Sequence, residues 1–256
     1  MKFFERFTPK KEEQKNPLKS EHLREGVRPI IACIGTPEQF RDELNGIEPE
    51  EVLLDSSSEE NSNRNIDWYG DPEELNKQKI KNAGAYSYVM SSIDDLSKFS
   101  KSFKNCTGLI VTGTDKETGK NISFLTHQDP EYFLNFRKFK NKLTDDLRTQ
   151  LEELKKRCEG GTIDAVIVGG NYFENKTKFQ ENYIQSIELL SKEVKNVLGF
   201  EPVVMTGPKT EMGKGGQDDV FFDNDNRRLY IMRREVGKDA TKSYLPSDIE
   251  EKRREW

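Results

Sequence analysis

The stretch Asn105–His127 reads NCTGLIVTGTDKETGKNISFLTH. Its middle, residues 114–120, is a polar turn containing Gly119, and the runs 107–112 and 122–126 on either side are β-branched and apolar. This pattern is typical of a β-hairpin. Antiparallel pairing brings the start of the first strand beside the end of the second. The sequence therefore predicts that Cys106 and His127 are neighbours in space.

A thiol beside an imidazole favours nucleophilic catalysis. An adjacent imidazolium lowers the pKa of a thiol, so we expect Cys106 to be more reactive than an ordinary cysteine. His127 is one of two histidines, and the other, His22, lies in a charged segment without apolar neighbours. The simpler interpretation is that Cys106 is a buried, inert core residue, which is common for free cysteines. The helical spacing around Cys158 favours this core interpretation for that residue.

Size and composition narrow the class of protein. Of 256 residues, 33% are hydrophobic and 34% are charged, which predicts a core of roughly 150 to 180 residues with polar additions. The formal net charge of -5 does not favour nucleic acid as a partner. No apolar run approaches the ~18 residues of a membrane span, so we expect no membrane insertion. Three unevenly spaced cysteines form neither a disulfide framework nor a metal-binding pair, which favours a reducing, cytoplasmic location without a metal or cofactor.

Composition shifts divide the chain into four segments. We expect a flexible charged leader at 1–26, an accessory segment at 27–80, the main folded domain at 81–236 and a charged tail at 237–256. The polar stretch 56–65 is the best candidate for a linker or mobile loop.

Apolar periodicity predicts the secondary structure. Strands are expected at 28–34, 85–90, 163–168 and 202–205, helices from 36, at 143–158 and at 182–198, and a closing hairpin at 219–232. Residues 93–103 read as a polar connection or short helix, and the aromatic stretch 130–141 as an irregular packed segment. The alternation of arginine with apolar residues around the last strand predicts a solvent-facing row, formed by Arg227, Arg228, Arg233 and Arg234. The glycine-rich loop 213–216 lies between strands, which argues against a nucleotide site.

Several of these stretches, in this order, resemble a known family. Residues 84–90 read GAYSYVM, residues 163–173 read IDAVIVGGNYF, and the Cys106–His127 hairpin lies between them. From about residue 84 to 235 the chain resembles the chemoreceptor glutamine deamidase family of bacterial chemotaxis (CheD), which shares a catalytic fold with the cytotoxic necrotizing factor toxins. The resemblance implies an α+β fold with a mixed, largely antiparallel β core and flanking helices.

The resemblance also implies roles for individual residues. Cys106 matches the nucleophile and His127 the general base. The family's third member is a threonine bonded to the imidazole, and Ser100, six positions before the cysteine, matches its place, with Ser102 as the alternative. Such a hydroxyl would orient the ring and fix its tautomer. The sequence departs from the family in the turn before the cysteine, which is here Phe103-Lys104-Asn105.

The implied activity is that of a cysteine-dependent amidohydrolase that deamidates glutamine side chains of a protein substrate, without a cofactor. A second hypothesis is a binding or regulatory protein that keeps the fold without the chemistry. A third is a cysteine peptidase using the same pair of residues, which a new amino terminus would distinguish from free ammonia.

Overall fold

The computed structural model describes residues 26–36, 40, 88–135, 137–173, 177–207, 209–210 and 217–234. The strands, in chain order, are β1 (Ile31–Gly35), β2 (Tyr88–Met90), β3 (Lys98–Phe103), β4 (Thr107–Thr114), β5 (Asn121–Gln128), β6 (Asp164–Gly169), β7 (Tyr172–Phe173), β8 (Val203–Met205), β9 (Lys209–Thr210), β10 (Gln217–Asp223) and β11 (Arg228–Arg234). The helices are α1 (Pro130–Asn135), α2 (Arg137–Arg157) and α3 (Thr177–Leu198).

The predicted hairpin is confirmed as β4 and β5, which pair antiparallel from Thr107 opposite Gln128. Its turn is stabilised by Asp115, whose carboxylate accepts hydrogen bonds from the backbone N–H groups of Glu117 and Thr118. Gly119 adopts a left-handed φ of 68°, a conformation that favours glycine. The local turn chemistry therefore fixes the strand register that positions His127.

The hairpin is the centre of a five-stranded sheet in the order β2-β5-β4-β6-β8. β6 and β8 are parallel, and α3 forms the crossover between them. The N-terminal end of β4 therefore lies beside the C-terminal end of β6, because these two strands are antiparallel. At this end of the two strands, the segment containing Cys106 lies next to the double glycine at the end of β6, residues 169 and 170.

A four-stranded sheet in the order β1-β11-β10-β3 forms a second layer. β10 and β11 make the predicted closing hairpin, and β3 pairs with β10 across a register shift between Asp218 and Val220. β1 falls in the segment that the sequence assigned to an accessory region, yet it pairs in parallel with β11. Residues 31–35 are thus part of this sheet.

Two apolar cores separate three layers. Helices α2 and α3 cover one face of the five-stranded sheet, where Leu109, Val111 and Phe124 belong to the same buried cluster as Leu151 and Ile187. The opposite face packs against the four-stranded sheet through a second cluster, which includes Ile110, Leu125, Val166, Val220, Phe222 and Leu229. Burying each such side chain contributes about 1.5–3 kcal/mol. The predicted α+β class, with a mixed and largely antiparallel β core, is confirmed.

Two predicted elements are wrong. Residues 98–103, expected in a polar connection or helix, form β3, because they pair with β10, a strand more than a hundred positions away. The aromatic stretch at 130–141 is not irregular but contains α1 and the start of α2. The expected helix start at 36–38 and the linker at 56–65 fall largely or wholly outside the described residues.

The arginine row is also corrected. Arg228 is exposed as expected, but Arg227 and Arg233 are 1% and 4% exposed. Arg227 donates to the carbonyls of residues 28 and 162, at 2.8 Å each, and to the side chains of residues 114 and 121. Arg233 forms a two-point ion pair with Asp218, at 3.0 and 3.2 Å. Both guanidinium groups are buried because distant parts of the chain supply their acceptors.

Within the described part of the chain, no helix has both the length and the apolar character that crossing a membrane requires.

Candidate functional site

His127 projects from β5 into the space between the two sheets. The side chain is fully buried, and the residue pairs with Val89 of β2. Ser100, on β3 of the opposite sheet, is also fully buried, and its Oγ lies 2.9 Å from His127 Nδ1. The second ring nitrogen, Nε2, is enclosed as well. The hydrogen bond fixes how the imidazole is rotated within its own plane.

Phe103 fixes the plane itself. Its ring stacks on the imidazole of His127 with centroids 3.9 Å apart and an interplanar angle of 11°. Gly108 leaves room for this stack, because a Cβ at that position would approach Phe103 Cε1 to 2.9 Å and the Thr126 carbonyl oxygen to 2.5 Å. Sequence reasoning noted Phe103 only as a departure from the family turn. Its role depends on contact with a strand from the other sheet, which no local pattern shows.

Cys106 directly precedes β4 and belongs to the apolar cluster between the sheets. The register of β4 and β5 puts Gly108, two residues further on, opposite His127. Cys106 and His127 are therefore diagonal neighbours on the same side of the sheet, not directly opposed. The structure brings Ser100 and His127 into hydrogen-bonding contact and places Cys106 diagonally across from His127 on the same side of the sheet. The side chain of Ser102, the alternative third member, lies outside what the structure describes.

The environment of the sulfur is apolar and closed. Cys106 is 3% exposed. Burial raises the pKa of its thiol well above the ordinary value, the nearby Asp129 carboxylate raises it further, and the backbone N–H of Lys104, hydrogen-bonded to the sulfur, opposes both. The expected low-pKa thiol is therefore wrong for this arrangement, because loss of hydration disfavours the thiolate. In this closed state the sulfur is a neutral thiol at neutral pH.

The other cysteines are placed differently. Cys158 is 1% exposed and packs with the helices on the outer face of the five-stranded sheet, which confirms its prediction as a core residue. Cys33 is partly exposed on β1. Among the residues that the structure describes, no group of three or more histidine, cysteine, aspartate or glutamate side chains could hold a metal ion.

The sequence matches no protein-family model and no curated protein. The resemblance to the glutamine deamidase family therefore depends on the motifs in the chain itself, and the roles of Cys106, His127 and Ser100 remain predictions.

Proposed function

We propose that this protein is a cysteine-dependent amidohydrolase that deamidates glutamine side chains of a protein substrate. The observation that supports it most directly is the buried hydrogen bond between Ser100 Oγ and His127 Nδ1, on the side of the sheet where Cys106 lies. A hydrogen bond to one ring nitrogen sets the orientation and the tautomer of the imidazole, which is how a third residue orients a catalytic base.

In the proposed reaction the neutral imidazole carries its hydrogen on Nδ1, and this N–H donates a hydrogen bond to Ser100 Oγ. His127 Nε2 accepts the thiol proton as Cys106 Sγ bonds to the carboxamide carbon, and the carbonyl oxygen becomes an oxyanion. The carbon–nitrogen bond then breaks, the imidazolium returns the proton to the departing nitrogen, and ammonia leaves a thioester. Water, deprotonated by His127, attacks the thioester and releases glutamate and the thiol.

The raised pKa of the thiol shapes this mechanism. A preformed thiolate–imidazolium pair is not available at neutral pH, so proton transfer to His127 accompanies attack on the carbon. Because Cys106 is 3% exposed and His127 is fully enclosed, a carboxamide reaches the sulfur only after the side chains over it move. Catalysis then occurs in a dry site, where electrostatic stabilisation is stronger than in water.

The same burial supports a second candidate, a binding or regulatory protein that keeps the fold without the chemistry. A thiol that is closed off and held neutral is what an inert core cysteine shows. The two candidates differ in a measurable product, so one experiment decides between them.

The test incubates the wild-type chain, Cys106→Ala and His127→Ala with denatured casein and with bacterial and eukaryotic whole-cell extracts. Free ammonia is measured, and glutamine-to-glutamate conversion is located by tandem mass spectrometry. Cys33→Ser is the matched control, because it also removes a thiol but lies outside the site. We expect conversion by the wild type and by Cys33→Ser, and none by the other two variants.

Conversions that do not exceed those of Cys106→Ala in any of the three samples would contradict the proposal and favour the binding protein. New amino termini without ammonia would instead indicate a peptidase.

A further inference from the structure

The pairing between β4 and β5 is irregular beside His127. It runs without a break from position 114 to position 110 of β4 and resumes at Thr107, opposite Gln128. Between these points the Leu109 N–H donates to the side-chain hydroxyl of Thr126 at 2.9 Å. On its other edge β4 pairs with β6 without a break from position 107 to position 112. The irregularity is therefore confined to the β5 side of the strand, where His127 lies.

Three polar side chains join the two strands beyond this irregularity. Gln128 Nε2 donates to Thr107 Oγ1 at 3.1 Å, and Thr107 Oγ1 lies 2.5 Å from Ser186 Oγ on α3. All three residues are fully buried. We call Thr107, Gln128 and Ser186 the polar link. It connects β4, β5 and the helix layer at the end of the sheet that carries the candidate site.

The polar link is directly connected to the candidate pair through the backbone. Thr107 follows Cys106 in the sequence, and Gln128 follows His127. Successive side chains of a strand point to opposite faces of the sheet. The polar link thus lies on the helix side, while Cys106 and His127 lie on the side of the second sheet. Any shift between the two linked strand ends therefore passes through one peptide unit to each member of the pair.

Stability alone does not account for polar side chains at this place. Replacing hydrogen-bonded groups by apolar side chains of the same shape is nearly neutral or stabilising. The Gln128 Oε1 atom is enclosed and accepts no hydrogen bond from the part of the chain that the structure describes, which is unfavourable for folding. Hydrogen bonds, however, have a defined length and direction. The polar link therefore gives β4 and β5 a defined spacing at this end of the sheet.

We propose that the three members of the polar link are positioning residues, which set the spacing between Cys106 and His127. The inference rests on the proposed function, because this spacing has a use only if the thiol and the imidazole react together. Ser100 and Phe103 hold the imidazole from the second sheet. The polar link instead holds the two strands that carry the pair.

The experiment compares Thr107→Val, Thr107→Ser and Ser186→Ala with Thr112→Val. Thr107→Val keeps the shape of the side chain but removes its hydroxyl, whereas Thr107→Ser keeps the hydroxyl and removes a methyl group. Thr112→Val is the matched control, because it removes another fully buried hydroxyl from β4, which donates to the Ile122 carbonyl away from the site. Circular dichroism verifies folding, and Ser186→Ala provides the test if Thr107→Val does not fold.

Two readouts separate positioning from stability. The first is kcat and KM for ammonia release from denatured casein. The second is the NMR chemical shifts of the His127 ring protons, assigned by comparison with His127→Ala, since the chain has two histidines. The Phe103 ring stacked on the imidazole shields these protons. Their chemical shifts therefore report on the stacked position independently of catalysis.

We expect kcat to fall about tenfold in Thr107→Val and in Ser186→Ala with KM unchanged, because the pair is misplaced. The His127 ring protons of these variants should move downfield as the imidazole leaves the stack. Thr107→Ser and Thr112→Val should keep the wild-type kcat and chemical shifts. Wild-type kcat and unmoved ring protons in folded Thr107→Val, or the same changes in Thr112→Val, would overturn this inference alone.

Absence of ammonia release by the wild type would overturn the proposed function. The ring-proton shifts would then test the polar link by themselves. A downfield movement in Thr107→Val but not in Thr112→Val would show that the link holds the imidazole in place, and unmoved ring protons would overturn the inference as well.

Discussion

Replacing Ser100 by alanine removes a side chain that is hydrogen-bonded to His127 Nδ1. Ser100 Oγ lies 2.9 Å from that nitrogen, and both residues are fully buried. During proton transfer the imidazole becomes positively charged, so the bond to Ser100 changes from a neutral to a charge-assisted one. The variant therefore raises the free energy of the transition state more than that of the resting site.

The size of the effect follows from this difference. A neutral hydrogen bond contributes about 1 kcal/mol and one to a charged group about 1.5–3 kcal/mol, so the transition state loses about 0.5–2 kcal/mol more than the resting state. Since 1.36 kcal/mol corresponds to tenfold in rate, kcat should fall about 2- to 30-fold. The free energy of unfolding should also fall, by about 1–3 kcal/mol, because a buried polar contact is lost.

Ser100→Thr separates these two effects. It keeps the hydroxyl but adds a methyl group to a closed interior, which costs about 1–3 kcal/mol of stability. We expect Ser100→Thr to retain most of the kcat while losing stability, and Ser100→Ala to lose both. The assays are ammonia release from denatured casein and urea denaturation followed by circular dichroism. Equal kcat for the wild type and Ser100→Ala would refute the orienting role. Equal losses of kcat in Ser100→Ala and Ser100→Thr would show that the loss follows from reduced stability.

Three further predictions concern stability. Arg227→Met should lower the free energy of unfolding by about 3–5 kcal/mol, because it leaves buried acceptors without their donor; a loss below 1 kcal/mol in urea titrations would contradict this. Gly108→Ala should destabilise by about 2–4 kcal/mol through contact with Phe103, whereas Gly160→Ala, with open space around it, should change little; similar melting temperatures for the two variants would argue against the stacked arrangement. The free energy of unfolding should fall as the pH rises above 9.0, because burial raises the thiol pKa of Cys106 well above that value and the thiol pKa of Cys158 to about 11. The thiols of the unfolded chain therefore lose their protons at a lower pH than those of the folded chain. Cys106→Ala should reduce the slope of the unfolding free energy against pH, and an unchanged slope would indicate that this thiol is not buried.

The parts of the fold that follow from local sequence were predicted well. The turn between β4 and β5 was predicted from its polar residues and Gly119, and Gly119 adopts the left-handed φ that favours glycine. The long amphipathic pattern in α3 and the apolar run of β6 were likewise recognisable. The apolar residues of these elements are regularly spaced in the sequence because a face of each element is buried.

The parts that depend on distant partners were not predictable in the same way. β3 is a strand because β10 pairs with it, and its own residues, KFSKSF, give no clear periodicity. Arg233 alternates with apolar residues as a solvent-facing row would, but Asp218 on the neighbouring strand neutralises it in the interior. A pattern cannot reveal such a partner.

The candidate site shows the same division. The placement of Ser100 beside His127 was implied by the family resemblance, whereas the stacking of Phe103 on the imidazole was not anticipated. The prediction that the Cys106 thiol has a low pKa was wrong for a related reason. Proximity to an imidazole was read from the hairpin, but the enclosure that raises the thiol pKa comes from the second sheet.

The acyl-enzyme itself offers the most direct measurement of the central claim. The wild-type chain is mixed with a glutamine-containing casein peptide and quenched rapidly in acid, which preserves a thioester, and the adduct is located by tandem mass spectrometry. The account predicts an adduct on Cys106 equal in mass to the peptide less ammonia, and no adduct in His127→Ala. Glutamine-to-glutamate conversion that persists in Cys106→Ala, or an adduct on any other residue, would contradict it.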